Sequence, residues 1–145
     1  MAWYNDVDAS KKFRLGTRKT DVAGNVYTYL SGVGSLAAGD WVAFDEAYGA
    51  TRLIADEVGP VAIAMGAFDA TTEYGWAQIY GVNTIANTDT VAADVGLYTR
   101  ASAGQASDSD VAGEAIVGAF TMAADASGVA TVFLNYPHVG NRAID

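Results

Sequence analysis

Two segments of this chain repeat one pattern, and the pattern constrains the fold more than any other feature. Ala62-Ile63-Ala64-Met65-Gly66-Ala67-Phe68 is followed, across a polar stretch, by Gly75-Trp76-Ala77-Gln78-Ile79-Tyr80. Ala115-Ile116-Val117-Gly118-Ala119-Phe120 is followed in the same way by Gly128-Val129-Ala130-Thr131-Val132-Phe133-Leu134. Each copy is a short run of small apolar residues, Gly-Ala-Phe, a polar loop, a Gly and an alternating segment. The spacing predicts a β-hairpin used twice in one sheet or barrel.

The rest of the chain reads the same way. Val26-Tyr27-Thr28-Tyr29-Leu30 alternates and is rich in strand formers, and Ser31-Gly32-Val33-Gly34-Ser35 is a turn. Further strands are predicted at Trp41-Val42-Ala43-Phe44, Thr51-Arg52-Leu53-Ile54 and Val95-Gly96-Leu97-Tyr98-Thr99. Residues 83–94 read as a polar loop with a short helical turn, and residues 102–110 as a second polar loop. About eight short strands with regular turns and no amphipathic helix of ordinary length predict an all-β protein, a small barrel or sandwich. Residues 1–24 are expected to form an extended arm with one helical turn near Asp8-Ala9-Ser10, residues 25–136 the β domain and residues 137–145 a tail.

The chain has 145 residues, enough for one domain with a real core, and only 17% of them are charged. It has no Cys, so no disulfide or thiolate metal site is possible. Its first residues are polar, and no run nears the roughly 20 apolar residues of a membrane span. Synthesis in the cytoplasm and no membrane contact are therefore expected. A net charge of −9 argues against nucleic-acid binding, which depends on Lys and Arg displacing counterions. The charge is uneven: Lys11, Lys12, Arg14, Arg18 and Lys19 lie near the start, and only Arg52, Arg100 and Arg142 follow. A basic head on an acidic body suits docking onto an acidic surface or contact between copies, and equally a solvated terminus. Trp3 and Tyr4 have little use in a disordered tail and suggest burial against this chain or another.

Residues that could carry chemistry are sparse. The single histidine, His138, sits in Tyr136-Pro137-His138-Val139-Gly140, without a motif that would make it a base. One His cannot make a zinc site, and Asp108-Ser109-Asp110 with Glu114 lacks the spacing of an EF-hand calcium loop. Gly32-Val33-Gly34 is no dinucleotide cradle. Asp40, Asp45, Asp69 and Asp94 are the remaining candidates for acid–base work, and turn roles explain them more simply. No catalytic residue, metal or cofactor is expected, and the chain is not expected to be an enzyme. Trp41, Trp76, Tyr48, Tyr74, Tyr80 and Tyr98 could stack on sugars, which makes a surface carbohydrate-binding module the alternative reading; core or interface aromatics are the simpler one.

With these segments in view, the chain resembles the head decoration, or capsid cement, proteins of tailed bacteriophages. The similarity spans about residues 25–136. It rests on Leu36-Ala37-Ala38-Gly39-Asp40-Trp41-Val42, Val58-Gly59-Pro60-Val61-Ala62-Ile63-Ala64-Met65, Gly75-Trp76-Ala77-Gln78-Ile79-Tyr80-Gly81, Ala92-Ala93-Asp94-Val95-Gly96-Leu97-Tyr98, Val117-Gly118-Ala119 and the closing strand 128–134. The resemblance implies a compact homotrimeric β body on the outside of an expanded capsid in the virion, bound to the major capsid protein and stabilising it. It also implies an N-terminal arm that reaches onto the lattice. Here that arm would use Trp3, Tyr4 and Phe13 as apolar anchors and Lys11, Lys12, Arg14, Arg18 and Lys19 for acidic groups.

Overall fold

A computed structural model describes residues 3–140. Arg142 and the rest of the predicted tail beyond residue 140 lie outside them. Among the described residues there is no helix, and the strands are β1 (Val7–Asp8), β2 (Arg18–Thr20), β3 (Val26–Ser31), β4 (Trp41–Phe44), β5 (Ala50–Arg52), β6 (Gly59–Ala64), β7 (Tyr74–Asp89), β8 (Gly96–Thr99), β9 (Ala106–Ser107), β10 (Ala115–Thr121) and β11 (Val129–Val139). Pairing runs β7–β9–β8–β10–β11–β6 and returns to β7, which closes a six-stranded barrel. β4 and β5 extend the sheet from β6, β3 and β2 lie on the other flank of β7, and β1 pairs with the start of β7 on the edge opposite β3, beyond the end of β6.

Both predicted hairpins form. β6 and β7 pair antiparallel with Ile63 opposite Gln78, and β10 and β11 with Ala119 opposite Leu134. The Gly-Ala-Phe triplets occupy different places in them. In the first copy the triplet lies beyond the end of β6, and Phe68 turns into a core. In the second it lies inside β10, and Phe120 faces outward.

β6 shows why the repeated runs are rich in small residues. Val61 and Ile63 enter the barrel core with Trp41, Leu97, Val132 and Leu134, whereas Ala62 and Ala64 enter a second core with Leu30, Leu36, Phe68 and Ile79. A strand buried on both faces reads as a continuous apolar run, and alanine on one face lets the second layer approach. Trp41 is fully buried, and its indole N–H donates to the Asn87 carbonyl at 3.0 Å.

β7 is the long strand on which the rest is hung. It pairs with β3 and β6 up to residue 80 and with β11 from residue 80 onward. The change occurs at Gly81, whose φ of +106° favours glycine, and where a Cβ would lie 1.9 Å from the Asn25 side-chain oxygen. Buried Gln78 fastens the bend. Its amide nitrogen donates to the carbonyls of Tyr80 and Val82, both at 3.0 Å, and its oxygen accepts from Asn83 at 2.9 Å.

Several boundaries differ from the sequence-based expectation. Residues 83–89 are strand, because β11 supplies a partner for a segment too polar to look half-buried. Residues 102–110 contain β9, parallel to the end of β7. Residues 137–139, assigned to the tail, complete β11, so His138 pairs with Pro60 and Val117 in the sheet. No helical turn forms near Asp8; β1 pairs there with Gly75 and Tyr74 instead. Residues 3–24 do not stand off the body as an arm, since β2 forms a hairpin with β3 and the preceding segment folds back over β3 and β7.

Candidate interaction surface

Tyr27 and Tyr29, two apart on β3, and Trp76 on β7 share one sheet face and form an aromatic floor that is almost wholly buried. The N-terminal segment covers it as a strap. The Tyr4 ring stacks on Tyr27 with centroids 4.9 Å apart, and Trp3 stands edge-on to Tyr27 at 5.3 Å and to Trp76 at 5.1 Å. Phe13 stands edge-on to Tyr29 and to Trp76, both at 5.3 Å. Lys19 on β2 places its ammonium 4.4 Å from the Trp3 ring centre, 5.2 Å from that of Phe13 and 5.6 Å from that of Trp76. A cation among three ring faces is attracted by each quadrupole, at about 0.5–1 kcal/mol per exposed contact.

Polar contacts fix the strap's path. The buried Asp8 carboxylate accepts from the Tyr29 hydroxyl at 2.7 Å and pairs with the Lys12 ammonium at 3.2 Å. The Gly16 N–H donates to the Tyr29 carbonyl at 2.8 Å, and the Tyr29 N–H donates to the Thr17 carbonyl at 2.9 Å. Gly16 has a φ of +85° and lies against the Tyr48 ring, where a Cβ would come within 2.5 Å. Burial, and then the hydrogen bond to Asp8, push the Tyr29 hydroxyl up to about 12. Tyr27 is raised by the same two causes, with Asp21 as its acceptor. For Asp21 burial acts upward, but donors from Tyr27, Asn25 and Ala23 outweigh it and hold the carboxyl below its ordinary value.

The strap thus divides the predicted contact residues. Trp3, Tyr4 and Lys19 are engaged with the body, and so is one side of the Phe13 ring. Lys11, Lys12, Phe13 and Arg14 are four consecutive exposed residues at the strap's crest. Arg18 lies apart, with its guanidinium 5.7 Å from the Tyr136 ring centre. Of the residues that hold the crest in place, Asp8, Tyr27 and Tyr29 were not singled out as site residues from sequence, and Trp76 was named only as an aromatic that could stack on sugars. The alternation of Tyr27 and Tyr29 on a strand was the available signal.

The other candidates are tied up locally. Asp40 is buried and accepts from Ala37, Arg52 and Asn87. Asp45 caps its own turn through the N–H groups of Ala47 and Gly49, and the Asp69 N–H donates to Glu73. Asp94 sits in a turn at a φ of +59°. Glu114 is turned inward, accepting from the Asp56 N–H and the Thr99 hydroxyl, while Asp108 accepts from the Ala92 N–H. Among the described residues no group of three or more His, Cys, Asp or Glu side chains could hold a metal ion. Trp41 and Trp76 are buried, so neither offers an open face for a sugar. An open groove of about 610 Å³ beside the β4–β5 turn is lined by Asp45, Glu46 and Glu57 together with Tyr48 and Val58. No protein-family model, curated protein or solved structure matches the chain.

Proposed function

We propose that this chain is a structural virion protein that binds the outer surface of an expanded tailed-phage capsid and stabilises it. The observation that carries the reading is the crest Lys11-Lys12-Phe13-Arg14: three exposed cations in a run with a partly exposed ring, which rests on Tyr29 and Trp76 and so holds the run on the folded body, while most of the acidic charge lies elsewhere in the chain. A crest fixed in advance loses less conformational entropy on docking than a loose tail does. Its charge suits carboxylates on the major capsid protein, and Phe13 supplies an apolar contact. The resemblance to decoration proteins adds the expectation of three copies per site. Three crests acting together raise avidity by about 10²–10⁴ over one. A protein that binds only the expanded lattice stabilises that lattice by mass action, without catalysis or cofactor.

Co-sedimentation with expanded capsids tests the reading. The wild-type chain is expected to pellet with them and to raise their heat resistance. The double substitution Lys11→Glu with Arg14→Glu should abolish pelleting, and added salt should weaken the wild-type interaction. Unchanged pelleting by the charge-reversed protein would refute the assignment of the crest.

A further inference from the structure

β7, β10 and β11 lie side by side and present one outer face with almost no charge. β10 and β11 contain no Asp, Glu, Lys or Arg, and β7 contains only Asp89, at its last position. β3, β4, β6, β8 and β9 are free of charge as well, but β7, β10 and β11 also carry large apolar side chains on their exposed side. Phe120 lies opposite Phe133, and Phe133 opposite Val82. The Phe120 and Phe133 rings are 5.6 Å apart, Phe133 and Tyr80 5.6 Å, and Tyr80 and Tyr136 5.5 Å, which makes one continuous row. Phe120, Met122, Val82 and Tyr136 are each 42–48% exposed. The barrel core is filled from the opposite face by Ala119, Val132 and Leu134, so closing the barrel does not require these outward side chains.

The backbone singles out the same face. Tyr136 has a φ of +49°, a costly conformation for a bulky residue, and faces a register shift at Gly118, whose own φ is +88°. A Cβ on Gly118 would lie 2.7 Å from the Asn135 carbonyl oxygen. Bulges re-aim side chains, and strain of this kind persists where the surrounding structure imposes it. Here the bulge brings the Tyr136 ring out beside Tyr80.

We infer that this face is where copies of this chain meet one another. Copies carrying −9 each repel unless their contact avoids carboxylates, and this face does. An aromatic row whose one neighbouring cation, Arg18, lies at its Tyr136 end offers little to a charged lattice, but it fits its own copy across a symmetry axis, ring edge to ring face. Three strands spaced about 4.8 Å apart and about ten residues long give a patch of roughly 14 by 33 Å. That is below the about 800 Å² per partner of a standard interface, so association is expected to be reversible and concentration-dependent. The inference rests on the multivalent part of the function proposed above, but its test needs no capsid.

Light scattering and sedimentation velocity of the full chain across a wide concentration range should show a mass rising above the 15.0 kDa of one copy. Phe120→Glu and, separately, Val82→Lys should return the mass to that of one copy with unchanged circular dichroism, a loss of at least about tenfold in affinity, or 1.4 kcal/mol. Mixing Phe120→Glu protein with Phe120→Lys protein should restore association. A wild-type chain that stays single at the highest concentration, or folded variants that associate like wild type, would overturn the inference. So would a chain that never self-associates but loses capsid pelleting with Phe120→Glu, since the face would then belong to the lattice. Association without capsid binding would instead remove the proposed function and leave this interface standing.

Discussion

The Tyr29 hydroxyl donates a 2.7 Å hydrogen bond to the buried Asp8 carboxylate, joining the strap to the middle of β3 across 21 residues of chain. The same carboxylate pairs with Lys12 at the crest. One anion therefore couples the aromatic floor to the surface proposed to bind the capsid.

Replacing Asp8 with Ala should loosen the strap more than the barrel. A buried hydrogen bond to a charged group contributes about 1.5–3 kcal/mol. We expect urea unfolding to show a loss of that size, and limited proteolysis to open sites before residue 17 while the barrel strands stay protected. Equal protection of the strap in wild type and Asp8→Ala would show that the aromatic contacts alone hold it.

Stability should fall in strong alkali. The folded Tyr29 hydroxyl titrates at about 12, above its ordinary value of 10.0, so the folded state holds its proton more tightly than the unfolded chain does. That contribution is complete below about pH 10 and is lost as pH rises through about 12, at up to about 1.4 kcal/mol per pH unit. Tyr27, also raised, adds to the same alkaline loss from about its ordinary value of 10.0 upward. Asp21 has the opposite sign: its stabilisation is present above the ordinary 3.8 and fades as pH falls below it. Denaturant titrations of wild type and Tyr29→Phe across the alkaline range should show a shallower decline in the variant.

The hairpins and the all-β class were legible because alternation and glycine-bounded turns are local properties of the chain. Residues 83–89 were not, since Asn83 and Thr88 point inward and break the alternation; Asn83 is there to serve the bend through Gln78. The place of the strap was not legible either. Trp3 and Tyr4 announced that they needed a partner, but the partner, the Tyr27–Tyr29–Trp76 floor, is assembled from strands separated by nearly 50 residues of sequence. Arg18 and Lys19 read as equivalent charges along the chain. Strand alternation sends Lys19 into the ring cage and Arg18 outward toward Tyr136.

Two glycines of a single turn should behave differently. A Cβ on Gly32 would lie 1.9 Å from the Phe68 carbonyl oxygen, a backbone atom that cannot swing away, whereas nothing lies within 4 Å of a Cβ on Gly34. Gly32→Ala is expected to cost at least the upper end of the about 1–3 kcal/mol typical of overpacking. Gly34→Ala should stay within about 0.5 kcal/mol of wild type. Thermal or urea unfolding of the two variants distinguishes them directly.

The pair Asp40–Arg52 sets a sharper energetic test. The Arg52 Nε lies 3.0 Å from an Asp40 oxygen; the carboxylate side chain is 3% exposed and the arginine side chain 30%. Asp40 also accepts from the Asn87 amide at 2.7 Å and from the Ala37 N–H at 2.9 Å, while an Arg52 terminal nitrogen donates to the Ala103 carbonyl at 3.2 Å. Arg52→Met strands a buried anion and should cost about 3–5 kcal/mol, the usual penalty for breaking one side of a buried pair. Adding Asp40→Asn removes the stranded charge while keeping an oxygen for Asn87 or Ala37, so the double variant should be more stable than Arg52→Met alone. Urea unfolding of the four proteins in that cycle gives the coupling directly. A double variant less stable than Arg52→Met would mean that the Asp40 carboxylate holds the β4 entry through Asn87 and Ala37 rather than through its cation.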